Sequence, residues 1–310
     1  MNEEERKQKI FKLIDDKNDA FMQSKNHLNS VANTIKELND YIDKNVALSD
    51  EDITERLNVL VQYRVVLDIP IPIDTLLLRA VQIDDGIKYP PRYGNASRIS
   101  YIPDDISYKA KLGRFNKDNE PMYYGAISKS IHNANVAFAE INAEENEYVN
   151  ILSSKTSQEL KVSYIGLLDY YKRDMELPFP VHPLFKEVYE YYKKTHDEEL
   201  LMAIEECDRF FNDITTRERS GNLYEVTSSL SAIFLKSESV DGLIYESVDT
   251  KNAPNLVLKP KSVDDKVKHK EARIILIKEK YKDSLYHGRD FNKRGIIIDN
   301  KDTIEWKIVE

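Results

Sequence analysis

Pro70 and Pro72 divide the chain more sharply than any other feature. Before them the apolar residues recur at helical spacing; after them the period changes from segment to segment. Proline inside a helix removes a backbone donor and clashes with the preceding turn, so a helix does not run through this pair. Residues 4–45 read as helix. Ile14, Phe21, Leu28, Ile35 and Ile42 recur every seven residues, and Ile10, Val31 and Leu38 fill part of a second row that Lys17 and Ser24 interrupt. Such a coiled-coil-like seam suits an antiparallel hairpin, a contact between two copies, or one amphipathic face packed on its own domain. Ser49-Asp50-Glu51-Asp52 carries the residues of a capped helix start, with the helix expected to reach about Leu67.

Beyond the prolines, short apolar runs and helical stretches alternate without a strict order, which predicts an α+β fold. Strands are expected at Ile73–Gln82, 121–128, Tyr148–Ser153, Leu160–Leu168, 242–248 and 255–258. Helices are expected at 129–141, 183–214 and Tyr224–Phe234. Three further strand-like runs follow at Ala272–Lys278, Gly295–Ile298 and Ile304–Val309, with Asn300-Lys301-Asp302 as turn material and Trp306 as an anchor. This predicts a helical region over 1–68, a core over 69–260 with a helical insertion around 183–214, and a β-rich extension over 261–310. Asp84–Asp105 holds Pro90, Pro91, Gly94 and Pro103, with Arg92 and Arg98 among them, and reads as a long loop: a lid or plain surface.

Composition removes several classes of function. With 41% hydrophobic and 32% charged residues the chain is expected to be globular, and at 310 residues it can bury a sizeable core. No run approaches a membrane span, and the acidic start Met-Asn-Glu-Glu-Glu is unlike a signal peptide. One cysteine, Cys207, excludes an internal disulfide and suits a reducing, cytoplasmic setting; its helical context reads as a small packed side chain. A net charge of −9 argues against a general nucleic-acid binder. Only 9 glycines are present, and neither a Walker A loop nor a Rossmann fingerprint occurs. The six histidines have no metal-ligand spacing among themselves or with Cys207, so no metal is expected. His132 precedes Glu140 by eight residues and reads as structural.

What remains is a dispersed polar set. Arg79 follows Leu76-Leu77-Leu78. Gly113-Arg114-Phe115-Asn116 reads as a tight loop, with Tyr124 ten residues after its arginine. Glu140 closes the apolar run Val136-Ala137-Phe138-Ala139, where a buried carboxylate needs a partner and a surface one does not. Asp241-Gly242-Leu243-Ile244-Tyr245-Glu246-Ser247 and then Asn255 lie far downstream. Guanidinium forks hold phosphate oxygens bidentately, so Arg79 and Arg114 suit a pyrophosphate. A tyrosine offers a flat face to a heteroaromatic ring. A carboxylate stabilises an oxocarbenium-like transition state, as in glycoside hydrolysis. Ser247 has no activating partner beside it in sequence and reads as a positioning group.

In order and spacing these pieces resemble the RES-domain family, named for an arginine, a glutamate and a serine. Phe115 stands where tryptophan is usual, and Glu246 where proline is common. The resemblance implies an ADP-ribosyltransferase-like mixed β core with flanking helices, and a bacterial toxin that consumes NAD as substrate, with no separate cofactor. It implies a pocket of Arg79, Arg114, Tyr124, Glu140 and Ser247, with Arg114, Glu140 and Ser247 catalytic. Tyr123 is the alternative to Tyr124 one register away, and Asn255 matches a family position. It also implies a possible antitoxin protein as partner. The acceptor stays open between water, phosphate and a protein side chain. A non-catalytic RES fold acting through its helical N-terminus, by oligomers or a partner, is the alternative of another class.

Overall fold

The computed structural model describes residues 3–21, 26–64, 68–83, 93–130, 134–174, 177, 181–247, 254–282, 285–297 and 302–308. The fold is α+β. Ten strands among these residues form one sheet: β1 (Asp68–Ile71), β2 (Leu76–Gln82), β3 (Tyr123–Ser128), β4 (Tyr148–Thr156), β5 (Leu160–Tyr164), β6 (Gly242–Glu246), β7 (Pro254–Leu258), β8 (Val267–Tyr281), β9 (Leu285–Ile297) and β10 (Ile304–Ile308). Their order is β1-β5-β6-β7-β3-β2-β4-β8-β9-β10. Only β5 and β6 run parallel. That pair needs a long crossover, and the chain supplies it with four helices. These are α5 (Leu167–Lys172), α6 (Leu184–Thr195), α7 (Glu198–Thr216) and α8 (Leu223–Phe234); the others are α1 (Glu3–Phe21), α2 (His27–Ile42), α3 (Asp50–Gln62), α4 (Asn135–Glu140) and α9 (Pro260–Lys266).

Of the heptad row, Ile14 and Ile42 are fully buried inside this chain, while Phe21, Leu28 and Ile35 are half-buried. Ile14, Val31, Leu38 and Ile42 are fully enclosed in one apolar cluster with Leu57, Phe211, Leu230, Leu243 and Val257. The row does not zip α1 onto α2 as a hairpin: α1 lies chiefly on α6, and α2 on α7 and α3. Phe11 stacks on Tyr191 with ring centres 3.9 Å apart, which fixes the first of these contacts. The expected boundaries at 68 and 260 therefore do not divide the core. The N-terminal helices share their cluster with β6 and β7, and β8 to β10 continue the sheet that β1 to β7 begin.

Local chemistry explains the element ends. Ser49 Oγ accepts from the Asp52 amide, and Asp52 returns the bond to the Ser49 amide, closing the expected capping box of α3. The prolines do not stop all structure. Pro70 sits within β1, a strand at the sheet edge, where a missing donor costs nothing if it faces outward. Cys207 is buried in α7. Trp306 donates its indole N–H to the Tyr93 carbonyl at 2.9 Å and anchors β10 as expected.

The described part of the expected lid, residues 93–105, is packed down. Ala96 and Ile99 are buried with Leu152, Ala272 and Ile304, and the Ala96 amide bonds the Asp302 carbonyl. Arg92, Pro90 and Pro91 lie outside the described residues, as do Asn300, Lys301 and His132. No helix among the described residues is long and apolar enough to cross a membrane.

One corner ties the helical layer together. Gly221 has φ +47°, and a Cβ there would meet the Ile42 carbonyl oxygen at 1.8 Å. The next residue, Asn222, bonds the Ile42 carbonyl through its amide and the Tyr41 carbonyl through its side chain. Gly221→Ala must displace α2 as well as hold a left-handed backbone. We expect a loss of about 2–3 kcal/mol in urea denaturation.

Candidate active site

The site lies where the sheet splits. β2 and β3 pair only from Leu76 opposite Ser128 to Leu78 opposite Ala126. Beyond that point β2 stays with β4 as far as Gln82, while β3 stays with β7 through Tyr124 and Tyr123. The strands part, and the opening is a cleft of about 210 Å³ lined by Arg79, Tyr124, Gly125, Ala137, Glu140 and Ile141 among others. Pockets that enclose a drug-sized ligand span about 300–1,000 Å³, so this one fits a single ring and its sugar and not a whole dinucleotide.

Arg79 bridges the opening. Its Nη1 donates to the Tyr124 carbonyl at 2.7 Å, which satisfies a backbone acceptor at the split. Its guanidinium carbon is 5.6 Å from the Tyr123 ring centre, a cation–π contact. Its Nε has no partner, and no carboxylate among the described residues is in ion-pair contact with it. Burial lowers its pKa, and the nearby Glu140 carboxylate opposes that shift. A half-buried cation with spare donors favours an anionic ligand.

Glu140 ends α4 and is partly buried. Oε1 accepts from the Tyr245 hydroxyl at 3.0 Å, and Oε2 accepts from Asn255 Nδ2. Tyr245 and Asn255 are directly opposite each other in the β6–β7 ladder, so the register delivers two donors to one carboxylate. Both donors are buried. Glu140 is thus the partnered carboxylate, not the surface one. Ser247 is buried just after β6, two residues beyond Tyr245.

Arg114 is elsewhere. Its Nη1 donates to the carbonyls of Thr215 at 2.9 Å and Ile214 at 3.4 Å, and its Nη2 to that of Arg217 at 2.9 Å. The last carbonyls of α7 lack partners within the helix and carry the negative end of its dipole, so a guanidinium fork suits them. Arg114 does not line the cleft, and the expected pair of phosphate-binding arginines reduces to Arg79.

The rest of the 113–116 loop is a frame for the site. The Tyr124 hydroxyl accepts from the Phe115 amide at 3.0 Å and donates to Asn116 Oδ1 at 2.8 Å. Asn116 Nδ2 in turn holds the Lys111 and Lys117 carbonyls. Gly113 is needed for close approach, since a Cβ would meet Asn116 Oδ1 at 2.4 Å. Phe115 packs on Tyr245 with ring centres 4.5 Å apart. Burial pushes the Tyr124 hydroxyl well above its ordinary range, so it stays protonated. Its hydroxyl is engaged by the loop, and the residue lines the cleft.

Tyr123 points away from Tyr124 across β3. It is fully buried with Leu77, Ile244 and Leu256, and burial raises its hydroxyl to about 12. Its ring meets the Arg79 guanidinium, and it is not among the residues that line the cleft. Neither Tyr245 nor the framing role of Asn116 stands out in the sequence. Strand alternation is the available signal for Tyr245: residues 243, 245 and 247 fall on one side, so Tyr245 accompanies Ser247. Among the described residues no group of three His, Cys, Asp or Glu side chains could hold a metal ion.

No protein-family model matches the chain, and no curated protein matches it in sequence.

Proposed function

We propose that the cleft receives the nicotinamide–ribose end of NAD and that the protein breaks the bond between them, as the resemblance to RES domains implies. One observation carries this reading: Glu140, held at both oxygens by Tyr245 and Asn255, shares a cleft with the unpaired cation of Arg79. In this reading Arg79 contacts the phosphates, the Tyr124 ring bounds the nicotinamide, and Glu140 stabilises the positive charge that grows on the ribose as the C–N bond breaks. Nicotinamide leaves with the bonding electrons. Water, phosphate or a protein side chain then takes the ribose carbon. Ser247 and Arg114 do not line the cleft, and Arg114 contributes through the frame and not by contact. An ADP-ribosyltransferase-like core, a cytoplasmic toxin role and an antitoxin partner belong to the same proposal.

The test is incubation of the protein with NAD, with and without phosphate, followed by chromatography. Nicotinamide release is expected. The co-product names the acceptor: ADP-ribose for water, its phosphate for phosphorolysis, modified protein for transfer. NAD left intact under all conditions would overturn the reading.

A further inference from the structure

We propose that Tyr245 is a positioning residue for Glu140, keeping that carboxylate ionised and aimed into the cleft. The inference deepens the NAD reading and rests on it for its kinetic arm alone.

The geometry is specific. Tyr245 is fully buried and donates to Glu140 Oε1 at 3.0 Å. Its ring is wedged by Phe115, and the Arg114 guanidinium, anchored on α7, acts on its hydroxyl electrostatically. A hydrogen bond donated to a carboxylate favours the charged form. The hydroxyl itself cannot compete as an anion: burial and the neighbouring Glu140 charge hold its pKa well above the ordinary tyrosine value. Tyr245 therefore remains a donor at neutral pH.

Among the described residues, groups facing Glu140 come from four strands. Arg79 on β2 favours the ionised form by charge, and the protonated Tyr124 on β3 carries none. Asn255 on β7 donates to the second oxygen and is neutral. Tyr245 on β6 combines a donor with a cation behind it. Removing that donor removes stabilisation of the carboxylate while Arg79 and Asn255 stay, which favours the protonated form.

The experiment is a carbon-detected NMR titration of glutamate-labelled protein. The Glu140 signal is identified by its loss in Glu140→Gln, and wild type is compared with Tyr245→Phe. Phenylalanine keeps the ring on Phe115, so the fold should survive; Asn255→Ser, which keeps a donor on a shorter side chain, serves as a second variant. We expect the Glu140 midpoint to move up by about one pH unit in Tyr245→Phe. We expect the acidic limb of nicotinamide release to move with it, leaving activity at high pH within about tenfold of wild type. An unchanged midpoint in Tyr245→Phe would overturn the proposal. So would a drop in rate that is uniform with pH, which is the signature of a structural role. The NMR arm needs no turnover, so failure of the NAD reading and failure of this proposal are separate outcomes.

Discussion

Glu140→Gln should lower NAD cleavage by about 10²–10³-fold while leaving the protein folded. Glutamine keeps the size of the side chain but not its charge, and charge is what an oxocarbenium-like transition state requires. The structural cost is small and calculable. Among the described residues, Glu140 accepts from Tyr245 and Asn255. A glutamine amide can accept from one and must turn its own donors toward the other. That loses roughly one hydrogen bond, worth about 1 kcal/mol. The kinetic loss is thus about three times larger in free-energy terms than the loss of stability. Steady-state rates with urea denaturation of both proteins check it. A variant that keeps most of the wild-type activity would mean that Glu140 does not stabilise developing charge.

Asp208→Ala should destabilise the protein by about 3–5 kcal/mol, the largest effect expected from a residue outside the cleft. Asp208 is 1% exposed, and Arg64 beside it is 7% exposed. Asp208 Oδ2 accepts from the amides of Leu168 and Asp169 at 2.8 and 3.1 Å, and Oδ1 is 3.5 Å from Arg64 Nε. Arg64 also donates to the Tyr164 carbonyl and lies over Phe234 at 5.1 Å. Burial pushes Arg64 down and Asp208 up, and each charge opposes the shift of the other. Removing the carboxylate strands a buried guanidinium and two backbone amides together. The double variant Arg64→Met with Asp208→Asn should recover most of the loss, because it removes the charge and keeps an acceptor for the amides. Urea denaturation of the three proteins separates these terms. Alanine at 208 costing only about 1 kcal/mol or less, the range of an exposed ion pair, would show the pair to be hydrated and not buried.

The two variants differ because the carboxylates do different work. Asp208 joins α7 to the start of α5, and so fixes the helix whose last carbonyls hold Arg114. Glu140 faces a cleft. Burial with a partner is common to both, so neither burial nor pairing alone marks a functional residue. What sets Glu140 apart from Asp208 is its place at the split between β2 and β3.

Periodicity and residue type make most of the elements legible. The strands at 121–128 and 255–258 and the helices at 183–214 fall where their patterns place them, the last as α6 and α7 with a break at His196 and Asp197. The heptad row is legible as an apolar face, but a period states that a face is covered and not by what. Ile14 and Leu38 meet a helical layer that begins only at Leu184. β1 is hidden because proline reads as a stop unless the edge position is known. β9 is hidden because its polar run from Tyr286 to Arg294 has little apolar alternation.

The site is legible in part. Arg79, Tyr124, Glu140 and Asn255 do meet. Arg114 does not join them, because its destination is set by the end of α7, far along the chain, and no local pattern encodes that. Tyr245 is hidden in its own motif by the serine two positions later.

A crystal structure of Glu140→Gln soaked with NAD tests the central claim most directly, since this variant should bind the substrate without cleaving it. The account predicts the nicotinamide ring between β2 and β3 against Tyr124, the ribose beside the introduced glutamine amide, and a phosphate oxygen on Arg79. NAD bound on another face, with the cleft open, would contradict it.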